Sequence, residues 1–111
     1  MGVTDTEVLR KDTRYELRID GKLAGLAAFL DRDGQRVFHH TEVNNAYRGQ
    51  GLSTVLIEQA LADTKAAGLR VVAVCPAVAA YLGKHDGFAD ATDPVTDEIM
   101  DWLEAKFDKK R

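Results

Sequence analysis

The segment Arg48-Gly49-Gln50-Gly51-Leu52-Ser53 combines residue types that bind anions, and it lies between a predicted strand and a predicted helix. The first N–H groups of a helix have no partners within the helix, and the helix dipole adds partial positive charge there. Gly49 and Gly51 let a ligand approach the backbone closely, and Arg48 supplies a forked donor. Ser53 is small and adds one hydroxyl. The segment therefore predicts an anion site, most simply for a phosphate group.

Short glycine motifs also occur by chance, so a second interpretation of this segment stays open. In that interpretation the two glycines only permit a tight strand-to-helix turn, and the Arg48 side chain is solvated. The segment matches neither G-x-x-x-x-G-K-S/T nor G-x-G-x-x-G. A nucleoside triphosphatase or a dinucleotide-binding Rossmann unit therefore has little support.

The strand before this segment contains two groups suited to proton transfer, His40 and Glu42. Strict alternation would place Phe38, His40 and Glu42 on one face of the strand. The other face would then hold Val37, His39, Thr41 and Val43. Histidine and glutamate side chains both serve as general bases, and the ordinary histidine pKa of about 6.5 suits proton transfer near neutral pH. His40 and Glu42 are therefore candidate general bases. The alternatives are a structural hydrogen bond for His40 and a solvated side chain for Glu42.

Cys75 follows an apolar run at residues 69–74 that is typical of a buried strand. Ligands commonly bind at the C-terminal ends of strands in open α/β sheets, so the Cys75 thiol is a candidate nucleophile. The alternative is an inert, buried small side chain, which is how most free cysteines behave. We expect His85 in a loop and Trp102 in the core.

Hydrophobic periodicity divides the chain into strands followed by helices. The predicted strands are residues 6–11, 14–19, 23–30, 35–43 and 69–74. The predicted helices are residues 50–67, residues 77–84, and a C-terminal helix from Pro94 onward with Asp93 as its N-cap. The first helix would connect strands four and five in parallel by a right-handed crossover. The predicted fold is α+β, with a mixed, mainly antiparallel sheet, a β-α-β unit and a C-terminal helix.

Length and charge limit the classes of protein that fit. The chain has 111 residues, 45% of them hydrophobic, which indicates one small domain spanning residues 1–111. The net charge of -3 argues against a general nucleic-acid binder. The single cysteine excludes an intrachain disulfide, and no segment has the pattern of a signal peptide or a membrane span. We expect a cytoplasmic monomer or weak homodimer with no metal, nucleic-acid or membrane partner.

Several motifs occur in the same order as in a known family. The segment from Arg48 to Ser53 resembles the acyl-CoA pyrophosphate loop of the GCN5-related N-acetyltransferases, with Ser53 where that pattern has Gly or Ala. The segment His40-Thr41-Glu42-Val43 resembles the short, single-domain, YjdJ-like branch of that superfamily. Cys75, Tyr81 and His85 match that branch in the same order, so the resemblance covers about residues 15–88.

The resemblance implies a fold in which strands four and five splay apart and hold the pantetheine arm of coenzyme A. Val43 would offer its backbone to the pantetheine amides, and the glycine-containing segment would bind the pyrophosphate. The implied cofactor-binding residues are Val43, Arg48, Gly49, Gln50, Gly51, Leu52 and Ser53. Tyr81 would protonate the departing CoA thiolate, and the alternative for Tyr81 is a packing role alone.

The expected activity is acetyl-CoA-dependent N-acetylation of an amine, on a small molecule or a protein, by direct transfer in a ternary complex. A route through an acetylated Cys75 is the mechanistic variant. The alternative function is a non-catalytic module that binds acyl-CoA. Larger relatives place helices between strands one and two, whereas only Asp12-Thr13 separates those strands here. The acceptor pocket is therefore expected to be open.

Overall fold

The computed structural model describes residues 6–47, 49 and 51–107. The strands are β1 (Thr6–Arg10), β2 (Arg14–Ile19), β3 (Lys22–Arg32), β4 (Gln35–Val43), β5 (Arg70–Ala73) and β6 (Thr92–Asp93). The helices are α1 (Leu52–Ala66), α2 (Pro76–Lys84) and α3 (Asp97–Phe107), with short 3-10 helices at Asn45–Tyr47 and Ala89–Ala91. No helix in these ranges is long and apolar enough to cross a membrane.

The six strands in the described part of the chain form one sheet in the order β1-β2-β3-β4-β5-β6. Neighbouring strands from β1 to β4 are antiparallel, whereas β4 pairs with β5 and β5 pairs with β6 in parallel. This arrangement confirms the predicted α+β fold with its mixed, mainly antiparallel sheet and its β-α-β unit. The short strand β6 was not predicted, because two residues are too few to show an alternating pattern.

The sheet has apolar residues on both faces, and each face packs against different helices. The larger core joins α1 and α2 to one face, with Tyr15, Phe38 and Val71 among its buried members. The smaller core joins α3 to the other face through Val37, Val72 and Ile99, with the half-buried Trp102 at its edge. Because adjacent strand residues point to opposite faces, neighbours such as Val71 and Val72 lie in different cores.

The C-terminal helix begins later than the sequence predicts. α3 starts at Asp97, and the Thr96 hydroxyl, not the Asp93 carboxylate, accepts a hydrogen bond from the first turn, from the Ile99 N–H at 3.2 Å. Asp93 lies in β6, and its carboxylate accepts hydrogen bonds from Gln35 at 2.9 Å and from Arg70 at 2.7 Å. The predicted N-cap is therefore wrong, because pairing with β5 keeps the Asp93 backbone extended and gives its side chain charged and polar partners.

Glu16 is a buried carboxylate on the sheet face opposite the α1 core. Its neighbours Tyr15 and Leu17 point into that core, so alternation directs Glu16 to the other face. The guanidinium groups of Arg14 and Arg18 each bind one carboxylate oxygen of Glu16, at 2.6 and 2.7 Å. Hydrogen bonds from Arg18 and then from Arg14 lower the pKa of Glu16 below its ordinary value.

The Glu16→Gln variant should lower the free energy of unfolding at pH 7 by about 1–3 kcal/mol, because it removes the charged partner of two arginines. The pKa of Glu16 is lower in the folded chain than in the unfolded chain. Its stabilisation is therefore complete above the unfolded-state pKa and is lost as pH falls through the folded-state pKa. Urea titrations of both proteins from pH 7 to about pH 3 should show the difference shrinking in acid.

Glu104→Gln is the matched control, because Glu104 is exposed on α3. It should change the free energy of unfolding by less than about 0.5 kcal/mol. A Glu16→Gln effect that keeps its full size throughout the acid range would contradict the assigned ion pairs.

Candidate active site

β4 extends beyond its pairing with β5, and this leaves part of its edge open. The two strands pair in parallel only as far as Phe38 and Ala73. The Phe38 carbonyl accepts the Cys75 N–H at 2.9 Å, and Pro76, which has no N–H, then opens α2. Residues 39–43 of β4 have no partner strand on this edge within the part of the chain that is described. An extended ligand can form backbone hydrogen bonds along such an edge.

His39 interrupts the regular pairing of β4 with β3. His40 pairs with Ala28 and Phe38 pairs with Phe29, so two adjacent β3 residues face three residues of β4. His39 is therefore the extra residue of a β-bulge. As a result, odd-numbered residues before the bulge point to the same face as even-numbered residues after it.

The bulge overturns one predicted grouping of side chains. Phe38 lies in the α1-side core, and Cys75 of the same core donates from Sγ to the Thr41 hydroxyl at 3.3 Å. Phe38 and Thr41 thus share a face, although strict alternation would separate them. His40 and Glu42 alternate with Thr41 and so lie on the α3 side of the sheet. The prediction that Phe38 shares a face with His40 and Glu42 is therefore wrong.

His40 and Glu42 form a pair at the open edge, with Nε2 and Oε2 3.0 Å apart. Their side chains are 58% and 62% exposed, and this contact confirms that they share a face. The neighbouring His39 ring meets the Phe107 ring of α3 edge-on, with centroids 4.9 Å apart. Burial first, and then the nearby charge of His40, lower the pKa of His39.

The start of α1 has the backbone geometry of a glycine turn. Gly49 has a φ of +81° and Gly51 has a φ of +71°, a region that L side chains adopt only with strain. α1 begins at Leu52, and the Val55 N–H donates to the Gly51 carbonyl at 3.3 Å. The first N–H groups of α1, before that of Val55, have no acceptor within the helix, and Gly51 has no side chain to cap them.

A cleft of about 490 Å³ joins the open edge of β4 to the start of α1. The predicted cofactor-binding residues that line it are Val43, Gly49, Gly51, Leu52 and Ser53. Two further predicted residues, Arg48 and Gln50, lie outside the described residues. The cleft also contains residues that the sequence analysis did not single out, namely Asn44, Asn45, Tyr47 and Ala77. The two asparagines after a strand are a turn signal that could have indicated them.

Cys75 and Tyr81 are both buried, so neither candidate group lies on the open surface. Cys75 is 4% exposed, and its only side-chain partner among the described residues is the Thr41 hydroxyl. The Tyr81 ring stacks on His85, with centroids 4.3 Å apart. Burial first, and then the charge of Glu58, raise the pKa of Tyr81, so its hydroxyl keeps its proton at neutral pH. His85 follows the end of α2 and lies outside the helix, as predicted.

A larger cavity, of about 910 Å³, lies by the turn between β1 and β2. Most of its lining side chains are charged, and several of them already have charged partners. Arg14 and Arg18 share Glu16, and Arg36 forms two hydrogen bonds with Asp31, at 2.8 and 2.9 Å. This cavity contains none of the predicted site residues, so the smaller cleft is the stronger candidate for the active site.

A protein-family model covers the part of the chain that forms this cleft. A model of the GCN5-related N-acetyl-transferase family matches residues 14–91, a range that includes β2 to α2 and the cleft. The chain belongs to the GCN5-related N-acetyltransferase family. The match ends before α3, so that helix is outside the part of the chain that the family model describes.

Two solved structures share the fold of this GCN5-related N-acetyltransferase. A GCN5-like protein from Staphylococcus aureus has a TM-score of 0.63 at 17% identity, over 82% of this chain and 91% of the other. The ribosomal-protein-S18-alanine N-acetyltransferase of Escherichia coli has a TM-score of 0.56 at 20% identity, over 70% of this chain and 54% of the other. No curated protein sequence gives a significant match. At these identities the structures support the fold alone.

The Gly51→Ala variant should lower the free energy of unfolding by about 1–2 kcal/mol, measured by urea titration. Apart from its own chain neighbours, an added Cβ would meet no heavy atom of the described residues within 4 Å, so the expected cost comes from the positive φ and not from a clash. Gly83→Ala is the matched control, because that Cβ also has free space and Gly83 lies within α2. Gly83→Ala should stabilise the protein by up to about 1 kcal/mol. Equal effects in the two variants would contradict the strained turn.

Proposed function

We propose that this chain is an acetyl-CoA-dependent N-acetyltransferase that transfers the acetyl group directly to an amine. The observation that carries the proposal is the single cleft that joins an open strand edge to the start of a helix. The strand edge suits the amides of a pantetheine arm, and the helix start suits a diphosphate. Membership of the family supports acetyl transfer in general.

The glycines of the cleft support this proposal because they leave space for a ligand. Among the described residues, and apart from its own chain neighbours, an added Cβ at Gly49 or Gly51 would meet no heavy atom within 4 Å. The backbone around Gly49, Gly51 and Ser53 would hold the pyrophosphate, with help from Arg48. The Val43 backbone, on the open edge of β4, would bind the pantetheine amides.

The amine must lose a proton before it attacks the thioester carbon, because a lysine-like amine has a pKa of about 10.4. The His40–Glu42 pair supplies the general base in this proposal. Glu42 lines the cleft, and its carboxylate attracts the ammonium form of the acceptor. A proton that either residue takes up is shared through the 3.0 Å contact and then passes to solvent.

Tyr81 is the proposed proton donor to the leaving group. Breaking the thioester bond leaves a thiolate, which needs a proton to depart as a thiol. The raised pKa of Tyr81 keeps its hydroxyl protonated, and a protonated phenol is the form that can donate. Its stacking on His85 holds the ring in one orientation.

The burial and the hydrogen bond of Cys75 favour direct transfer over a route through an acetylated cysteine. A nucleophilic cysteine reacts as a thiolate, and such cysteines are typically partly exposed in a positively charged setting. Cys75 instead is 4% exposed and donates its S–H to Thr41. These features suit a side chain that packs in the α1-side core and holds Thr41 at the open edge of β4.

Ser53→Asp tests the phosphate assignment, because it adds a carboxylate to the first turn of α1. The helix dipole favours that charge, so stability should hold or rise by up to about 1 kcal/mol. Repulsion of the diphosphate should weaken CoA binding at least tenfold, as measured by calorimetry. Gln59→Glu makes the same charge change at an exposed position in the middle of α1 and should leave the affinity within about twofold. Unchanged affinity in Ser53→Asp, or no heat from the wild type with millimolar CoA, would contradict the assignment.

Tyr81→Phe and Cys75→Ala test the mechanism through release of free CoA thiol in the presence of amines. Tyr81→Phe should lower kcat by about 10- to 100-fold with CoA affinity unchanged, because the proton donor is lost. Cys75→Ala should retain kcat within about tenfold, and intact mass should show no acetyl group on the wild-type protein after incubation with acetyl-CoA.

Two outcomes would favour a different mechanism or a different function. A stable mass gain of one acetyl group that disappears in Cys75→Ala, together with loss of thiol release, would favour the covalent route. Tight CoA binding with no thiol release for any amine would favour the non-catalytic acyl-CoA-binding module.

A further inference from the structure

We infer that Phe107, at the end of α3, forms an apolar wall of the acceptor site. The preferred acceptor is then a monoamine whose amino group is attached to an aromatic or aliphatic body. This inference rests on the proposed acetyltransferase function and names the acceptor class for the same site. Phe107 lies outside the family-model match, so it is a feature of this chain's own C-terminal helix.

The position of Phe107 is set by buried contacts further back along α3. Ile99 packs with Val37 and Val72, and Trp102 lies against the same cluster. These contacts hold α3 on the sheet face that carries His40 and Glu42. Phe107 is nevertheless 60% exposed, so part of its apolar surface is available to a ligand.

The β-bulge brings the exposed ring close to the proposed general base. Phe107 contacts His39 at a centroid distance of 4.9 Å, and the charge of His40 contributes to the lowered pKa of His39. His40 in turn contacts Glu42 at 3.0 Å. The groups therefore follow one another along the open part of β4, from an apolar ring to a carboxylate.

Two side chains of β3, Ala28 and Leu26, form an apolar floor beside His40 and Glu42. Ala28 pairs with His40 and Leu26 pairs with Glu42 across the β3–β4 ladder, and directly opposed residues share a face. Both β3 side chains are half-buried, so part of their apolar surface remains accessible. An amine with its ammonium at Glu42 would thus meet apolar surface on β3 and, further along β4, at Phe107.

Positive charge lies beyond this floor and disfavours a second ammonium. Arg14 pairs with Ala28 and Glu16 pairs with Leu26, so both extend the same face onto β2. Glu16 binds both Arg14 and Arg18, so its carboxylate is already paired and offers no free charge to a second ammonium. A diamine or polyamine would place a second cation near these guanidinium groups or against the apolar floor, whereas a monoamine with an apolar body avoids both.

The test compares initial rates of thiol release for phenethylamine, butylamine and 1,4-diaminobutane. Butylamine and 1,4-diaminobutane have the same carbon chain and differ by one amino group. For the wild type, kcat/KM should be at least tenfold higher for phenethylamine than for 1,4-diaminobutane. Phe107→Ala should lower kcat/KM for phenethylamine by roughly 5- to 20-fold, mainly through KM, and change it less than about twofold for 1,4-diaminobutane.

Two variants control for folding. Phe107→Leu keeps an apolar side chain and should retain most of the preference for phenethylamine. Val95→Ala removes another exposed apolar side chain, 42% exposed and located before α3, and should leave all the rates unchanged. Phe107→Ala should also keep the wild-type CoA affinity, since Phe107 does not line the cleft that holds CoA in the proposal.

The outcomes separate this inference from the function on which it rests. If the wild type acetylates amines but Phe107→Ala lowers all three rates equally, or lowers none, the acceptor wall is wrong and the acetyltransferase stands. If the wild type releases no thiol with any amine, both proposals fail. A binding measurement adds a readout without turnover: phenethylamine should shift the NMR ring signals of His39 and His40 in the CoA-saturated wild type, and an absence of shifts would overturn the inference.

Discussion

The candidate site depends on one backbone constraint, the end of pairing between β4 and β5 at Phe38. Beyond this point, the chain after β5 turns into α2, because Pro76 cannot donate a ladder hydrogen bond and is well suited to a first helical position. β4 continues alone, so its N–H and C=O groups remain available on one edge. The cleft and the proposed cofactor and acceptor positions all follow from that divergence.

The free end of β4 is held in place from its other side by β3. Gly25 pairs with Val43, and a Cβ at Gly25 would lie 2.7 Å from the Glu42 carbonyl oxygen. Only a glycine therefore permits this close approach of the two backbones. The Asn44 N–H then donates to the Ala24 carbonyl at 2.7 Å. These contacts with β3 keep the end of β4 extended, although its other edge has no partner strand among the described residues.

The sheet separates two kinds of chemistry by face. Thr41 lines the cleft, and Cys75 and Tyr81 lie in the α1-side core without lining it. The proton-accepting pair, His40 and Glu42, lies on the α3 side. In the proposed reaction, the acyl donor therefore enters by the helix start and the amine approaches from the opposite face. On that second face α3 packs against Val37 and Val72, whereas His40 and Glu42 remain exposed.

The sequence by itself determined the element order, the β-α-β unit and the glycine turn before α1, because each depends on local signals such as periodicity, glycine and proline. It also indicated that His40 and Glu42 share a face, since two residues of alternation suffice. Only the tertiary structure decided which face that is, because the bulge at His39 arises from pairing with β3 and leaves no mark in the alternation of β4. The strand β6 and the contact between Phe107 and His39 likewise depend on residues far apart in the chain, which no local pattern relates.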